Sequence, residues 1–316
     1  MQAGATWSRV SYLYNDTDPA SLHDGLNLGS TVYDADTGVV TVFFTHCANY
    51  FGQAPCGPTA TLLAMSSTDL GLNWGPVRNL TTTIVAGGFA MITPGPSTGI
   101  QLRRGPHAGR VLLASWGTRL GHRETEDKNA VSLWSDDHGA SWQFGAIAPN
   151  TIAAVPNELQ AAELADGTVL LNARDGAGPL RLLSRSSNGG ATWSALERSP
   201  YLNGAICQGS MIEVDGTLFF SHPFASAVQA GALERMNGWI KFSIDGGRSW
   251  WLWRQVNPDE FAYSSLALLE LNGTHVTLGL AYEDEAFGDH AKGSLKWAAI
   301  ADFFPRAAAA IRFNRT

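Results

Sequence analysis

The sequence has 316 residues, a formal net charge of -7 and only 16% charged residues. No run reaches the roughly 18 uncharged apolar residues that a membrane-spanning helix needs. A negative balance argues against nucleic acid as a partner, because phosphate binding requires a basic face. Gly 34, Trp 11 and Phe 14, with short apolar runs, lean toward an all-β chain long enough to bury a large core.

Taken in chain order, a turn glycine followed by an apolar strand recurs five times. Thr37-Gly38 leads into Val39-Val40-Thr41-Val42-Phe43-Phe44, and Gly109 leads into Val111-Leu112-Leu113. Asp166-Gly167, Asp215-Gly216 and Asn272-Gly273 open the other three. Glycine in such a pair supplies the positive φ that a tight hairpin requires. A second pattern interleaves with the first, 19 to 29 residues after each of the first four glycines. It reads S-x-D-x-G-x-x-W at Ser67–Trp74, Ser135–Trp142 and Ser243–Trp250, with Asn188 in place of Asp in the copy Ser186–Trp193.

The copies begin at steps of 68, 51 and 57 residues, which fits one four-stranded sheet per copy. Each box has a local rationale: the Ser and Asp side chains can bond backbone amides of the turn, and Trp can pack between neighbouring sheets. The aspartates of the boxes are therefore structural. The repeat predicts a β-propeller forming a single domain over residues 1–316.

Other signals are weaker. Cys47 and Cys56 flank a short loop and are close enough in sequence for a small disulfide, while Cys207 lies far away. Three cysteines do not make a disulfide scaffold. N-x-[S/T] sequons at Asn15, Asn79, Asn272 and Asn314 are compatible with a secretory route. The eight histidines show no metal-ligand spacing, and Asp136, Asp137 and His138 belong to a box, so neither a metal nor another cofactor is expected.

The boxes resemble the Asp boxes of the sialidase (neuraminidase) superfamily, and the resemblance covers nearly the whole chain. Leu22–Gly29, Pro94–Gln101 and Ser135–Trp142 look most similar to its lysosomal members. The resemblance implies a six-bladed propeller. Gly4-Ala5-Thr6-Trp7 looks like the second half of a first box, with Gln2 where Asp would stand, so the first blade is expected to be incomplete. The family places its first arginine and its acid/base aspartate upstream of that box, and neither is expected in this chain.

The substrate implied by the resemblance is a terminal sialic acid, a keto-sugar acid with its carboxylate on the reacting carbon. Arginine suits that anion because its planar fork binds a carboxylate bidentately. Arg174, 16 residues after Asn157-Glu158, matches the family's second arginine, and Arg235, opening Arg235-Met236-Asn237, matches the third. A carboxylate nucleophile would be repelled by the substrate's own anion, whereas a neutral phenol is not; sialidases are glycosidases with a Tyr nucleophile. Tyr263, in Tyr263-Ser264, matches that nucleophile, and Glu158 matches the glutamate that takes its proton. Asp24 resembles an aspartate that contacts a sugar hydroxyl, and Glu283, in Tyr282-Glu283, resembles the glutamate that orients the first arginine.

The resemblance thus implies a retaining exo-α-sialidase acting on sialylated glycoproteins, oligosaccharides or gangliosides. It also implies lysosomal placement and membership of a lysosomal multienzyme complex. The alternative is a catalytically impaired, sialic-acid-binding propeller, or an incomplete version of an active enzyme, lacking the acid/base aspartate and the first arginine.

Overall fold

A computed structural model describes residues 12–14, 24–48, 60–124, 126–224, 235–284 and 294–305. These residues form strands almost throughout, arranged in five sheets that are antiparallel except for one short parallel pairing. The first sheet takes β1 (Asp24–Asp34), β2 (Val39–Ala48), β3 (Thr61–Ser67) and β4 (Arg78–Asn79). One short helix, α1 (Thr81–Ala86), follows. Next come β5 (Phe89–Pro94), β6 (Ser97–Thr98), β7 (Ile100–Gln101), β8 (Val111–Arg119), β9 (Asn129–Ser135) and β10 (Gln143–Phe144). They build the second sheet in the order β10-β9-β8-β5 with β7 also on β8, while β6 runs parallel to β1 in the first.

The third sheet orders β11 (Pro156–Glu163), β12 (Val169–Asp175), β13 (Leu180–Ser186) and β14 (Glu197–Asn203). The fourth orders β15 (Ser210–Val214), β16 (Thr217–Pro223), β17 (Met236–Ser243) and β18 (Trp251–Glu260). The fifth has β19 (Ser264–Leu271), β20 (His275–Asp284) and β21 (Ser294–Phe303).

Both repeats take their expected places. Each turn glycine, with φ between 74° and 94°, lies just ahead of the second long strand of its own sheet. Each box connects β3 to β4, β9 to β10, β13 to β14 or β17 to β18. The expected count of six sheets is corrected: the described residues form five. Five turn glycines match the five sheets of the described residues, and the sixth came only from the resemblance.

The boxes hold their turns as expected. Ser135 Oγ accepts the Gly139 amide at 2.8 Å and Asp137 Oδ1 accepts the Ser141 amide at 2.8 Å. The same two bonds recur at Ser67 and Asp69, and at Ser243 and Asp245. Asn188 keeps its acceptor, taking the Thr192 amide at 2.9 Å. Two of the tryptophans bridge sheets: Trp142 meets Phe43 edge-on at 5.0 Å, and Trp193 Nε1 donates to Ser132 Oγ at 3.3 Å.

The chain divides into two compact units. One takes Ser11–Ala177 and Leu182–Glu197; the other includes Gly178–Arg181 and Arg198–Thr316. In the first, β8 is buried on both faces because alternate side chains point opposite ways. Leu112, Ala114 and Trp116 enter one core with Val169, Leu171 and Ala173, whereas Val111 and Leu113 enter another with Phe43 and Val131. In the second unit, Phe219, Ile240, Phe261, Leu266, Leu278 and Leu280 share one core. Full burial of each such side chain contributes about 1.5–3 kcal/mol.

Candidate active site

Glu158 and Arg174 meet within the first unit. The pairing of β11 with β12 slips between Asn157 and Leu159, leaving Glu158 as the extra residue of a bulge. Its φ is 45°, a left-handed conformation that costs a residue with a side chain about 1–2 kcal/mol. A bulge re-aims a side chain out of the ladder's alternation. Here it delivers the Glu158 carboxylate, 4% exposed, to Arg174, whose Nη1 lies 2.8 Å from both carboxylate oxygens. Arg174 remains 20% exposed, so the pair joins a buried anion to a cation that still reaches solvent.

Arg235 and Tyr263 meet within the second unit. The Arg235 Cζ atom lies 5.2 Å from the centre of the Tyr263 ring. Arg235 also accepts the Phe261 amide on its carbonyl at 2.9 Å, which ties the start of β17 to the segment that leads into Tyr263. A second bulge follows Arg235: the β17–β18 register shifts between Met236 and Gly238, with Asn237 at φ 59°. The Asn237 Oδ1 then accepts from Trp239 Nε1 at 2.9 Å and Gln255 Nε2 at 2.8 Å. This explains the asparagine of the Arg235-Met236-Asn237 run. Gly238 leaves room for Phe261, whose ring would lie 2.1 Å from a Cβ at that position.

Glu283 is brought to the backbone of Tyr263. Its carbonyl accepts the Ala262 amide at 2.9 Å, its own amide donates to the Tyr263 carbonyl at 2.8 Å, and its Oε2 accepts the Tyr263 amide at 3.4 Å. Phe261 stacks on Tyr282 at 4.9 Å beside this double link. Asp24 opens β1 opposite Ala48, and its side chain lies outside the described residues. So does the Cys47–Cys56 pair, and Cys207 is buried.

Two features had no forewarning in the sequence. Gln208, 1% exposed, bonds the backbone of Ser264 next to Tyr263. Asp34, Asp36 and His138 bring three possible metal ligands together. Their oxygens already accept hydrogen bonds: Gln101 Nε2 reaches Asp34 at 2.7 Å and Asp36 at 2.8 Å, and His138 Nδ1 lies 2.7 Å from Asp34. Protein donors thus take the place a cation would need. The carboxyl of Asp34 is held below the usual range, burial opposing and the His138 hydrogen bond favouring its ionised form.

A BNR repeat-like domain matches residues 1–276. The chain belongs to the BNR repeat-like family. Within it, the sequence is 29% identical over 313 residues to a sialidase of Micromonospora viridifaciens, covering 93% of this chain and 45% of that protein. It is 31% identical over 200 residues to human Sialidase-4, covering 57% of this chain and 40% of that protein. The solved Trypanosoma rangeli sialidase in complex with sialic acid superposes with a TM-score of 0.71 at 18% identity, covering 94% of this chain and 47% of that one. That likeness shows the fold. The chain spans less than half the length of these relatives. Among the described residues, no helix is long and apolar enough to cross a membrane.

Proposed function

We propose that this BNR-repeat chain carries the catalytic site of an exo-α-sialidase that releases terminal sialic acid with retention. The observation that carries the reading is the Arg235 guanidinium set 5.2 Å from the Tyr263 ring. A cation beside a phenol favours negative charge on its oxygen, and the same cation suits a substrate carboxylate. Arg174 is the second anchor for that carboxylate.

In this mechanism the Tyr263 oxygen attacks the anomeric carbon and its proton passes to Glu158. The bond to the leaving oxygen breaks, and that oxygen takes a proton from a general acid. Water then attacks the anomeric carbon, the bond to Tyr263 breaks, and the phenol regains its proton. Two displacements on one carbon restore its configuration. Glycoconjugate substrates, lysosomal placement and the multienzyme complex rest on the family resemblance, with antibody localisation as their check.

The test uses an aryl sialoside, whose phenolate leaves with little help from an acid. It therefore reads the nucleophile and the carboxylate anchors. The protein should release the fluorescent phenol, proton NMR should show the α-anomer of sialic acid first, and Tyr263→Phe should lower kcat by about 10²-fold or more. Full activity in Tyr263→Phe removes the nucleophile.

A further inference from the structure

We propose that Gln208 is a positioning residue for Tyr263, an inference that rests on the sialidase reading above. Gln208 lies between β14 and β15, and its side chain uses both ends of its amide on one residue. Nε2 donates to the Ser264 carbonyl at 2.9 Å, and Oε1 accepts the Ser264 amide at 2.8 Å. Ser264 offers one donor and one acceptor, so only one orientation of the amide satisfies both. The side chain acts as a neighbouring strand would.

The reason lies in the period of β19. Residues 264 and 266 turn their peptide groups to the flank facing away from β20. On that flank side chains replace a ladder: Gln208 holds Ser264, Ser210 Oγ accepts the Leu266 amide at 2.9 Å, and Ser221 Oγ lies 2.8 Å from Ser264 Oγ. On the other flank Glu283 holds the Tyr263 peptide. The peptide group joining Tyr263 to Ser264 is therefore gripped from both sides, which fixes where the phenol ring stands against Arg235. Misplacing a reacting group by about 1 Å can cost 10²-fold in rate.

Gln208→Met keeps the side-chain length and removes both bonds. Gln208→Glu keeps the acceptor but sets a carboxylate against the Ser264 carbonyl. Ser210→Ala is the control, since it removes a buried bond from the same flank, one alternation further from Tyr263. With the aryl sialoside, measured well below each Tm, both Gln208 variants should lose about ten- to a hundredfold in kcat with KM within about twofold. Ser210→Ala should lower Tm and leave kcat unchanged.

Equal kcat in Gln208→Met, Gln208→Glu and Ser210→Ala would mean that the clamp only supports the strand, and overturns the proposal. So would a loss confined to KM, or a failure of both Gln208 variants to fold. A wild-type protein that does not turn over the sialoside removes the sialidase reading and this inference with it. An active wild type with unimpaired Gln208 variants removes this inference alone.

Discussion

Arg174 meets Glu158 through a single nitrogen, Nη1 standing 2.8 Å from both oxygens of a carboxylate that a bulge has turned out of β11. If Glu158 takes the proton of Tyr263, its charge matters more than its shape. Glu158→Gln keeps the shape, and its kcat on an aryl sialoside should fall by about 10²–10⁴-fold. An unchanged kcat contradicts the role.

The arginines make a different prediction, for binding. Arg174→Ala and Arg235→Ala should each weaken binding of an unreactive sialic acid analogue at least about tenfold, or roughly 1.4 kcal/mol. Arg174→Lys should recover only part of this, because an ammonium lacks the planar fork. Calorimetric titration reads both, and unaltered affinity in Arg174→Ala removes the anchor.

The boxes predict acid sensitivity. Hydrogen bonds from Asn73 hold the Asp69 carboxyl at about 2, and those from Ser141 hold Asp137 at about 2, against an ordinary 3.8. Groups with depressed folded values stabilise the protein above about pH 3.8, and that contribution is lost as pH falls toward 2. Asp137→Asn should lower stability at pH 7 and should flatten the acid limb of stability in denaturant titrations. Asn188 already shows the exchange, with Nδ2 donating to Thr192 Oγ1 at 2.9 Å. An undiminished acid limb in Asp137→Asn contradicts this origin.

Arg110 predicts a coupling between repeats. Its guanidinium is 4% exposed, lies 3.6 Å from the Trp134 ring and forks onto both oxygens of Asp136 at 2.7 and 2.8 Å. Its Nη1 reaches the Gly189 carbonyl in the next box at 2.9 Å. Charge-assisted bonds of this kind contribute about 1.5–3 kcal/mol. Arg110→Met should lower stability by about 2–4 kcal/mol in urea unfolding. The Asp136 carboxyl, held down chiefly by the Arg110 hydrogen bond, should return toward its ordinary value.

Local chemistry decided what could be read from the sequence. The turn glycines and the boxes were legible because a single peptide turn dictates each of them. Arg174 and Glu158 were legible as a spacing, yet the bulge that joins them was not, since a positive φ at a glutamate leaves no mark in composition. Glu283 was expected beside an arginine, and its bonds to the Tyr263 backbone left no mark in the sequence. Gln208 was invisible, because its partner is 56 residues away and is a peptide group rather than a side chain.

The central claim is that a phenol carries the sugar between the two displacements. A fluorinated sialosyl fluoride, which forms the glycosyl-enzyme quickly and releases it slowly, should add one sugar mass to the protein. Peptide mass spectrometry should place that mass on Tyr263. A stable adduct on any other side chain, or brisk turnover of the aryl sialoside with no adduct on Tyr263, would contradict the account.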